Sequence, residues 1–280
     1  MDLSTYHSHC DFCDGHAPME EFVRAAVAAG FHAYGISSHS PLPFYARCAM
    51  RAENVEEYLS CIDTLKREYA GQIELYAGME IDYINEEYGP AIAYFRELPL
   101  DYRIGSIHYV THPSSGRLMD MDGGEIGFRT ALAEIFDGDL AGVVTAYYDA
   151  SERMVARGGF DFVAHLDKVS VNAERIDPSI TGTRWYHDRL ISYLEAIAAR
   201  GLMIEINTKA YPGLGVFFPH RRYMERIREL RIPVIVNSDA HYPWAINEGR
   251  AEAFEMLRAA GFRHTTCLKG GKWTEIPIGE

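Results

Sequence analysis

Two histidines separated by one residue stand near the start of the chain, at His7 and His9. Residues 3–6 before them can form a short strand, and in an extended backbone residues two apart point to the same face. Two imidazoles on one face can hold a metal ion between them. Such a pair alone is weak evidence, because short motifs also occur by chance. Its meaning therefore depends on what the rest of the chain places beside it.

The rest of the chain alternates strands with helices. Further strands are predicted at residues 31–38, 72–81, 101–108, 161–165, 202–207 and 232–238, with a last short one near 265–268. Helices are predicted at residues 18–29, 53–69, 88–97, 125–135, 141–157, 185–200, 221–230 and 247–260. Several strands are mainly apolar, as is typical of strands covered on both faces. The pattern predicts an α/β fold with a parallel sheet and outer helices, either a barrel or an open doubly wound sheet.

Histidines and carboxylates recur where these predicted strands end. They are His7, His9, His39, Glu80, His108, His165, Asp239 and His241. In a barrel the carboxyl ends of the strands converge on one face, which carries the active site. Any single histidine could instead be a core or capping residue, but burying the whole set without a compensating partner would be costly. The sequence therefore predicts one metal site built from distant residues.

Composition limits the classes of function. The 280 residues are 48% hydrophobic and show no linker or charge block, which predicts a single domain over residues 1–280. The net charge of −13 argues against binding to nucleic acid or to an anionic membrane. We find no secretory signal, no stretch long enough to cross a bilayer, and no nucleotide-binding glycine motif. Five cysteines, an odd number, favour a reduced cytoplasmic protein. The oligomeric state is not predicted.

These motifs resemble those of the PHP (polymerase and histidinol phosphatase) family of metal-dependent phosphoesterases. The matching motifs, between residue 2 and about residue 262, are His7-x-His9, Asp14-Gly15, Ser38-His39, Glu80, His108, His165 and Asp239-Ala240-His241. Residues 12–16, 35–43, 78–83, 100–108, 164–168 and 205–209 look most like the monofunctional histidinol-phosphate phosphatases. The resemblance implies a distorted TIM-like (β/α)7 barrel. It also implies hydrolysis of L-histidinol phosphate to L-histidinol and phosphate, in histidine biosynthesis.

The resemblance further implies a cluster of three divalent metal ions, which would be Zn, Mn or Fe. The implied ligands are His7, His9, Asp14, His39, Glu80, His108, His165, Asp239 and His241. Glu80 would bridge two ions, and Asp239 or His241 would give a proton to the leaving oxygen, so these three are the predicted catalytic residues. Mixed imidazole and carboxylate ligands suit such metals. Bound metal ions lower the pKa of water toward neutrality, which supplies a nucleophile.

The chain departs from the family pattern at two places. Many such phosphatases have a histidine just after the cysteine of the first motif, whereas this chain has Asp14, with His16 two residues later. Either could be the ligand, and Asp14 is favoured because Asp-Gly also occurs in the wider family. Lys209 follows Thr208 where arginine is common. Lysine keeps the positive charge but lacks the planar fork of a guanidinium.

Substrate contacts are less well marked. Lys168, Lys209 and Arg222 are predicted to bind the phosphate, with solvated surface charges as the alternative. Asp82, Tyr83 and Tyr211 could hold the histidinol part, although ordinary packing or rim hydrogen bonds are the slightly preferred explanation for them.

Other functions remain open at this point. The same scaffold could carry a nucleotide phosphatase or a nuclease, although the acidic charge weighs against the latter. A metal-binding regulatory domain without turnover would lack one or two ligands, yet every expected position is filled. A related barrel that hydrolyses C–N bonds would be favoured by a lysine at the end of the third strand, where this chain has Glu80.

Overall fold

The computed structural model describes residues 3–279. Met1, Asp2 and Glu280, which belong to the predicted single domain, lie outside the described residues, and the one-domain organisation stays a prediction. Within the described range the strands are β1 Ser4–Thr5, β2 Ala33–Ile36, β3 Glu74–Ala77, β4 Glu80–Asp82, β5 Ile104–Ser106, β6 Tyr109–Thr111, β7 Leu118–Asp120, β8 Phe162–Val163, β9 Met203–Asn207, β10 Val234–Asn237, β11 His264–Lys269 and β12 Lys272–Pro277.

Parallel strands form the wall of a barrel. One sheet has the order β1-β2-β3 and a second has the order β10-β9-β8-β5-β4. Strands β3 and β4 are consecutive pieces of one path, interrupted at Gly78-Met79, so the wall contains seven strand positions. The two sheets meet on one side through a parallel bridge between His39 and Glu80, and on the other through one between Ser8 and Ala240. This confirms the distorted TIM-like (β/α)7 barrel and excludes the open sheet.

Helices surround this wall. They are α1 Met19–Ala28, α2 Val55–Glu68, α3 Ala93–Glu97, α4 Gly124–Phe136, α5 Leu140–Arg157, α6 Val169–Ile176, α7 Arg184–Ala199, α8 Tyr211–Leu214, α9 Met224–Glu229 and α10 Arg250–Ala259. Residues at its two ends favour helix α1 locally. Pro18 precedes it, Glu20 and Glu21 lie in its first turn, and Gly30 with φ of 79° follows it. None of the helices in the described range combines the length and apolar character that a bilayer span requires.

Aromatic side chains fill the barrel at the end away from the histidines. Tyr102 is fully buried and donates a hydrogen bond of 2.6 Å to the carbonyl oxygen of Tyr6. A Cβ atom on Gly35 or Gly78 would lie 2.2 Å from the Tyr102 side chain, so both glycines leave the space that this ring occupies. The antiparallel hairpin β11–β12 covers this end, and its Trp273 ring contacts the rings of Tyr6 and Tyr102.

Most predicted elements are confirmed, and several regions differ. The helix predicted at 88–97 is helical only from Ala93, after Gly89-Pro90, and the one predicted at 247–260 begins at Arg250 because Gly249 is left-handed. Helix α6 was not predicted, since the valines of Val169–Ile176 read poorly as a helix. The hairpin β6–β7 and strand β12 were also not predicted.

Candidate metal centre

Glu80 lies at the centre of a cluster of imidazoles at the carboxyl ends of the strands. It begins β4, and the bridge to His39 at the end of β2 fixes its place beside the neighbouring strand. The distances from its two carboxylate oxygens to ring nitrogens are 2.9 Å to His165, 3.0 Å to His39, 3.2 Å to His7, 3.5 Å to His9 and 3.6 Å to His108. Only 1% of Glu80 is exposed, so these imidazoles are its immediate surroundings.

Asp239 approaches the same cluster from the opposite wall. It follows β10 in a left-handed conformation with φ of 49°, which aspartate tolerates better than most residues. Its Oδ1 lies 3.2 Å from Nε2 of His9 and 3.8 Å from Nε2 of His7. The backbone turn at Asp239 also brings His241 back to the cluster, with its Nδ1 3.5 Å from the same carboxylate oxygen.

Asp14 closes the side of the cluster that faces solvent. Its Oδ1 lies 3.4 Å from Nε2 of His241, 3.6 Å from Nε2 of His39 and 3.9 Å from Nδ1 of His9. The alternative candidate, His16, is exposed and stacks on the ring of Tyr242 with centroids 4.3 Å apart. The structure therefore brings Asp14, and not His16, to the other candidate ligands.

The donor atoms form three overlapping groups that could each hold a metal ion. Within each group, ligand atoms lie within 4.8 Å of one another, and the groups are His9-Asp14-His39-His241, His7-His9-Asp239 and His39-Glu80-His108. Among the described residues, Nε2 of His7, Nε2 of His9, Oδ1 of Asp14 and Oε2 of Glu80 are buried without a hydrogen-bond partner. Buried polar atoms that face one another unsatisfied are costly unless something binds between them. The donor set fits divalent cations.

The electrostatics keep the carboxylates and His9 in the state that metal binding needs. Burial alone would raise the pKa of Glu80, but the surrounding His7, His39 and His108 lower it well below its ordinary value. Burial also acts to raise the pKa of Asp239, and Lys209 and His7 reverse that shift. Burial and the neighbouring His241 lower the pKa of His9 well below 6.5. Ionised carboxylates and a neutral imidazole are the forms that bind metal ions. For His7 and His108, burial acts to lower the pKa, but Glu205 and Asp82 respectively raise it above 6.5, so a metal ion must displace a proton there.

Two further carboxylates orient the histidines from behind. Glu205, fully buried on β9, lies 2.9 Å from Nδ1 of His7, and Asp82 on β4 lies 2.9 Å from Nδ1 of His108. A ring that donates Nδ1–H to a carboxylate presents its Nε2 for a cation, and such outer partners fix tautomer and orientation. Sequence reasoning did not assign either role. The signal available was a single acidic residue inside an otherwise apolar strand, Met203-Ile204-Glu205-Ile206.

A cavity of about 660 Å³ opens over the cluster. Asp14, His39, His108 and His241 form part of its lining. Lys209 also lines it, with its Nζ 3.2 Å from Oδ1 of Asp239 and 3.3 Å from Nε2 of His241. The exposed Arg47 lines it as well, on an irregular loop that gave no sequence signal. The cavity thus joins the candidate metal ligands to two cationic side chains.

The other predicted phosphate contacts lie elsewhere. Lys168 pairs with Asp122, whose carboxylate is 3.6 Å from Nε2 of His108, so it stands at the edge of the cluster and is not among the residues that line the cavity. Arg222 does not line the cavity either; its guanidinium donates to the carbonyl oxygen of Thr181 and to Nδ1 of His220.

The side chains suggested for the histidinol part also lie away from the cavity lining. Tyr83 donates to Glu86, Tyr211 stacks on Phe217, and Asp82 holds His108. The sequence therefore located the cluster more accurately than it located the surfaces around the substrate.

Comparisons with known proteins find relatives that align with most of the chain. The chain is 28% identical to a protein named probable histidinol-phosphatase from Deinococcus radiodurans, over 94% of this chain and 96% of the relative. It is 28% identical to the histidinol-phosphatase of Bacillus subtilis, over 84% of this chain and 92% of the relative.

A solved structure shows the same fold. It is the histidinol phosphate phosphatase of Lactococcus lactis subsp. lactis, complexed with zinc, L-histidinol and phosphate, with a TM-score of 0.73 and 19% identity over 98% of this chain and 99% of that one. The family model of the PHP domain matches residues 5–209, which is more than half of the chain. The chain therefore belongs to the PHP family.

Proposed function

We propose that this protein is a divalent-metal-dependent phosphomonoesterase that hydrolyses L-histidinol phosphate to L-histidinol and phosphate. The observation that carries the proposal is the convergence of imidazoles on the buried Glu80, beneath a cavity that Lys209 and Arg47 line. Two relatives that align with most of this chain carry the name histidinol-phosphatase, and the related Lactococcus structure holds L-histidinol and phosphate. A metal cluster beside cationic side chains suits a phosphate ester.

The proposed cofactor is three divalent metal ions. The three groups described above, which share His9 and His39, would supply the ligands. Glu80 would serve two ions, because its carboxylate lies beside His7, His9 and His39, which belong to different groups. His165 lies 2.9 Å from Glu80 and would complete the set. When bound, such ions supply Lewis acidity and lower the pKa of water. Metal analysis of the purified protein should give three ions per chain, with fewer in a variant that lacks Asp14.

The protein's own residues would bind the ester and move the proton. Lys209 reaches the rim between Asp239 and His241, where a cation can meet phosphoryl oxygens. His241, or Asp239 after it has taken a proton from the attacking water, would give a proton to the leaving alkoxide of the histidinol. The buried pairs Glu205–His7 and Asp82–His108 hold the reacting geometry, since each fixes one ring.

The test of the proposal is phosphate release from a panel of phosphate esters by the metal-loaded protein. L-histidinol phosphate should give the highest kcat/KM, above nucleoside monophosphates and sugar phosphates, and oligonucleotides should not be cut. Equal values across the panel would overturn the assignment to one substrate. Cleavage of oligonucleotides in preference to small esters would favour a nuclease instead.

A further inference from the structure

We infer that the Asp120 carboxylate binds the ammonium group of the substrate, and that the cavity selects phosphate esters of primary amino alcohols. This inference rests on the proposed function and names the group that gives it specificity. The charge distribution around the cavity supports it, through residues to which neither the sequence motifs nor the metal cluster assigned a role.

Three carboxylates line the cavity, and among the described residues only one of them has no ion-pair partner. Asp14 faces His9, His39 and His241 as part of the metal cluster. Asp122 forms an ion pair with Lys168. Asp120 forms no ion pair within 4.0 Å among residues 3–279, although it lines the same cavity. Its negative charge is therefore available to a ligand that enters the cavity.

The hairpin β6–β7 holds Asp120 against an aromatic wall. Asp120 stands directly opposite Tyr109 in the antiparallel pairing, and Tyr109 packs edge-on against Phe44 with ring centroids 5.0 Å apart. Both aromatic residues line the cavity. A carboxylate beside aromatic rings suits an organic ammonium ion, which gains a charge-assisted hydrogen bond from the one and cation–π attraction from the others.

Positively charged side chains also line the cavity. Arg47 forms no ion pair within 4.0 Å in the described part of the chain, and Lys209 stands beside the metal cluster. A ligand that satisfies both signs must carry a phosphate and a cation in one small molecule. A phosphorylated amino alcohol has this charge pattern, whereas a sugar phosphate has only the anion.

One hydrogen bond makes the charge of Asp120 separable from its structural role. Its Oδ1 accepts from the backbone N–H of Asp122 at 2.7 Å. Asparagine at this position retains an Oδ1 acceptor for that bond and removes the negative charge. The variant Asp120→Asn therefore tests the charge without removing the contact that shapes the loop.

The experiment compares the wild type and Asp120→Asn on L-histidinol phosphate and on its deaminated analogue, 3-(imidazol-4-yl)propyl phosphate. Loss of one charge-assisted hydrogen bond should raise KM for the amine substrate by about 10- to 100-fold, with kcat little changed. KM for the deaminated ester should stay within about twofold, because that ester has no group for Asp120 to bind. The control Asp137→Asn removes an exposed carboxylate outside the cavity and should change neither ester.

An equal change for both esters, or no change for either, would overturn the inference. Failure of the proposed function gives a different result, because the wild type would then not hydrolyse L-histidinol phosphate at all. In that case the same two proteins are compared on 2-aminoethyl phosphate and propyl phosphate. Loss of amine preference in Asp120→Asn would still support the ammonium site, and unchanged preference would refute it.

Discussion

The carboxylate of Glu205 lies 2.9 Å from Nδ1 of His7, and both side chains are fully buried. The same carboxylate accepts hydrogen bonds from the side-chain amides of Asn207 and Asn237 and from the backbone N–H of His165. One acidic side chain therefore connects β9, β10 and the residues that follow β1 and β8. It sets the direction in which His7 presents its Nε2 to Glu80 and Asp239.

We expect Glu205→Gln to weaken metal binding. An amide group keeps the size of the side chain, but its NH₂ would face donors that now meet an oxygen. Removing an outer partner of this kind typically costs about 10- to 100-fold in metal affinity or activity. Activity measured against metal concentration should shift to higher metal, and excess metal should restore part of it. The exposed Glu195→Gln serves as control, and an unshifted metal dependence in Glu205→Gln would contradict the positioning role.

Glu80→Gln should abolish turnover and leave the fold in place. The change keeps volume but removes the charge that five imidazoles surround. Removing an outer partner of a metal ligand lowers activity by up to about 100-fold. We therefore expect Glu80→Gln to lower kcat/KM by at least about 100-fold. Circular dichroism should match the wild type, and metal content should fall. Glu87→Gln, an exposed carboxylate of the same chain region, should keep full activity; near-normal turnover by Glu80→Gln would refute the bridging role.

Lys209 and Arg222 were predicted to share a role, and the structure separates them. Lys209 lines the cavity, so Lys209→Ala should lower kcat/KM for phosphate esters by about 10- to 100-fold through a lost charge-assisted contact. Arg222 donates to Thr181 and His220, so Arg222→Ala should leave kcat/KM unchanged and lower the free energy of unfolding by about 1 kcal/mol. Steady-state kinetics and urea unfolding measure the two effects. The reverse pattern would restore Arg222 as the phosphate ligand.

His220 gives a prediction for stability against pH. Burial and the neighbouring Arg222 lower the pKa of the half-buried His220 below 6.5, and its Nδ1 accepts from the backbone N–H and Nε of Arg222. Its other charged neighbours are Glu174 and Arg221, and its backbone N–H donates to the carboxylate of Asp167.

The folded state favours the neutral ring, so the stabilisation is complete above pH 6.5. It is lost as the pH falls from 6.5 toward the lower pKa of the folded state. His220→Asn keeps an acceptor near the position of Nδ1 but does not titrate. The difference in free energy of unfolding between wild type and His220→Asn should therefore fall between pH 7 and pH 5, as measured by urea unfolding at each pH. A constant difference would show that His220 does not titrate as described.

The sequence located the elements and the cluster because both depend on local patterns. Apolar strands predicted the wall of the barrel, and the position of each histidine at a strand end predicted that distant residues meet. The ring of strands closes through single bridges, such as Ser8 with Ala240. No periodicity could indicate those, and the choice of a barrel over an open sheet came only from family resemblance.

Apart from Lys209, the residues that line the cavity beyond the metal cluster were not predicted from the sequence. Asp120 and Arg47 lie in a short hairpin and an irregular loop, whose paths depend on tertiary contacts such as that of Cys48 with Tyr109. Glu205 was visible as an acidic residue in an apolar strand, but its partner His7 is 198 residues away. Lys168 was predicted to bind phosphate because it lies near the end of a strand. Its pairing with Asp122 could not be foreseen, because it depends on the segment after β7, which was not predicted.

The aromatic filling behind the cluster has a kinetic consequence. Tyr102, Tyr6 and Trp273 close the far end of the barrel. In the described part of the chain, substrate and product would therefore enter and leave through the cavity that Lys209 lines. A newly formed phosphate ion must vacate this mouth before another ester can arrive. Inorganic phosphate should therefore act as a competitive inhibitor, and its departure sets an upper limit on how fast the enzyme can cycle.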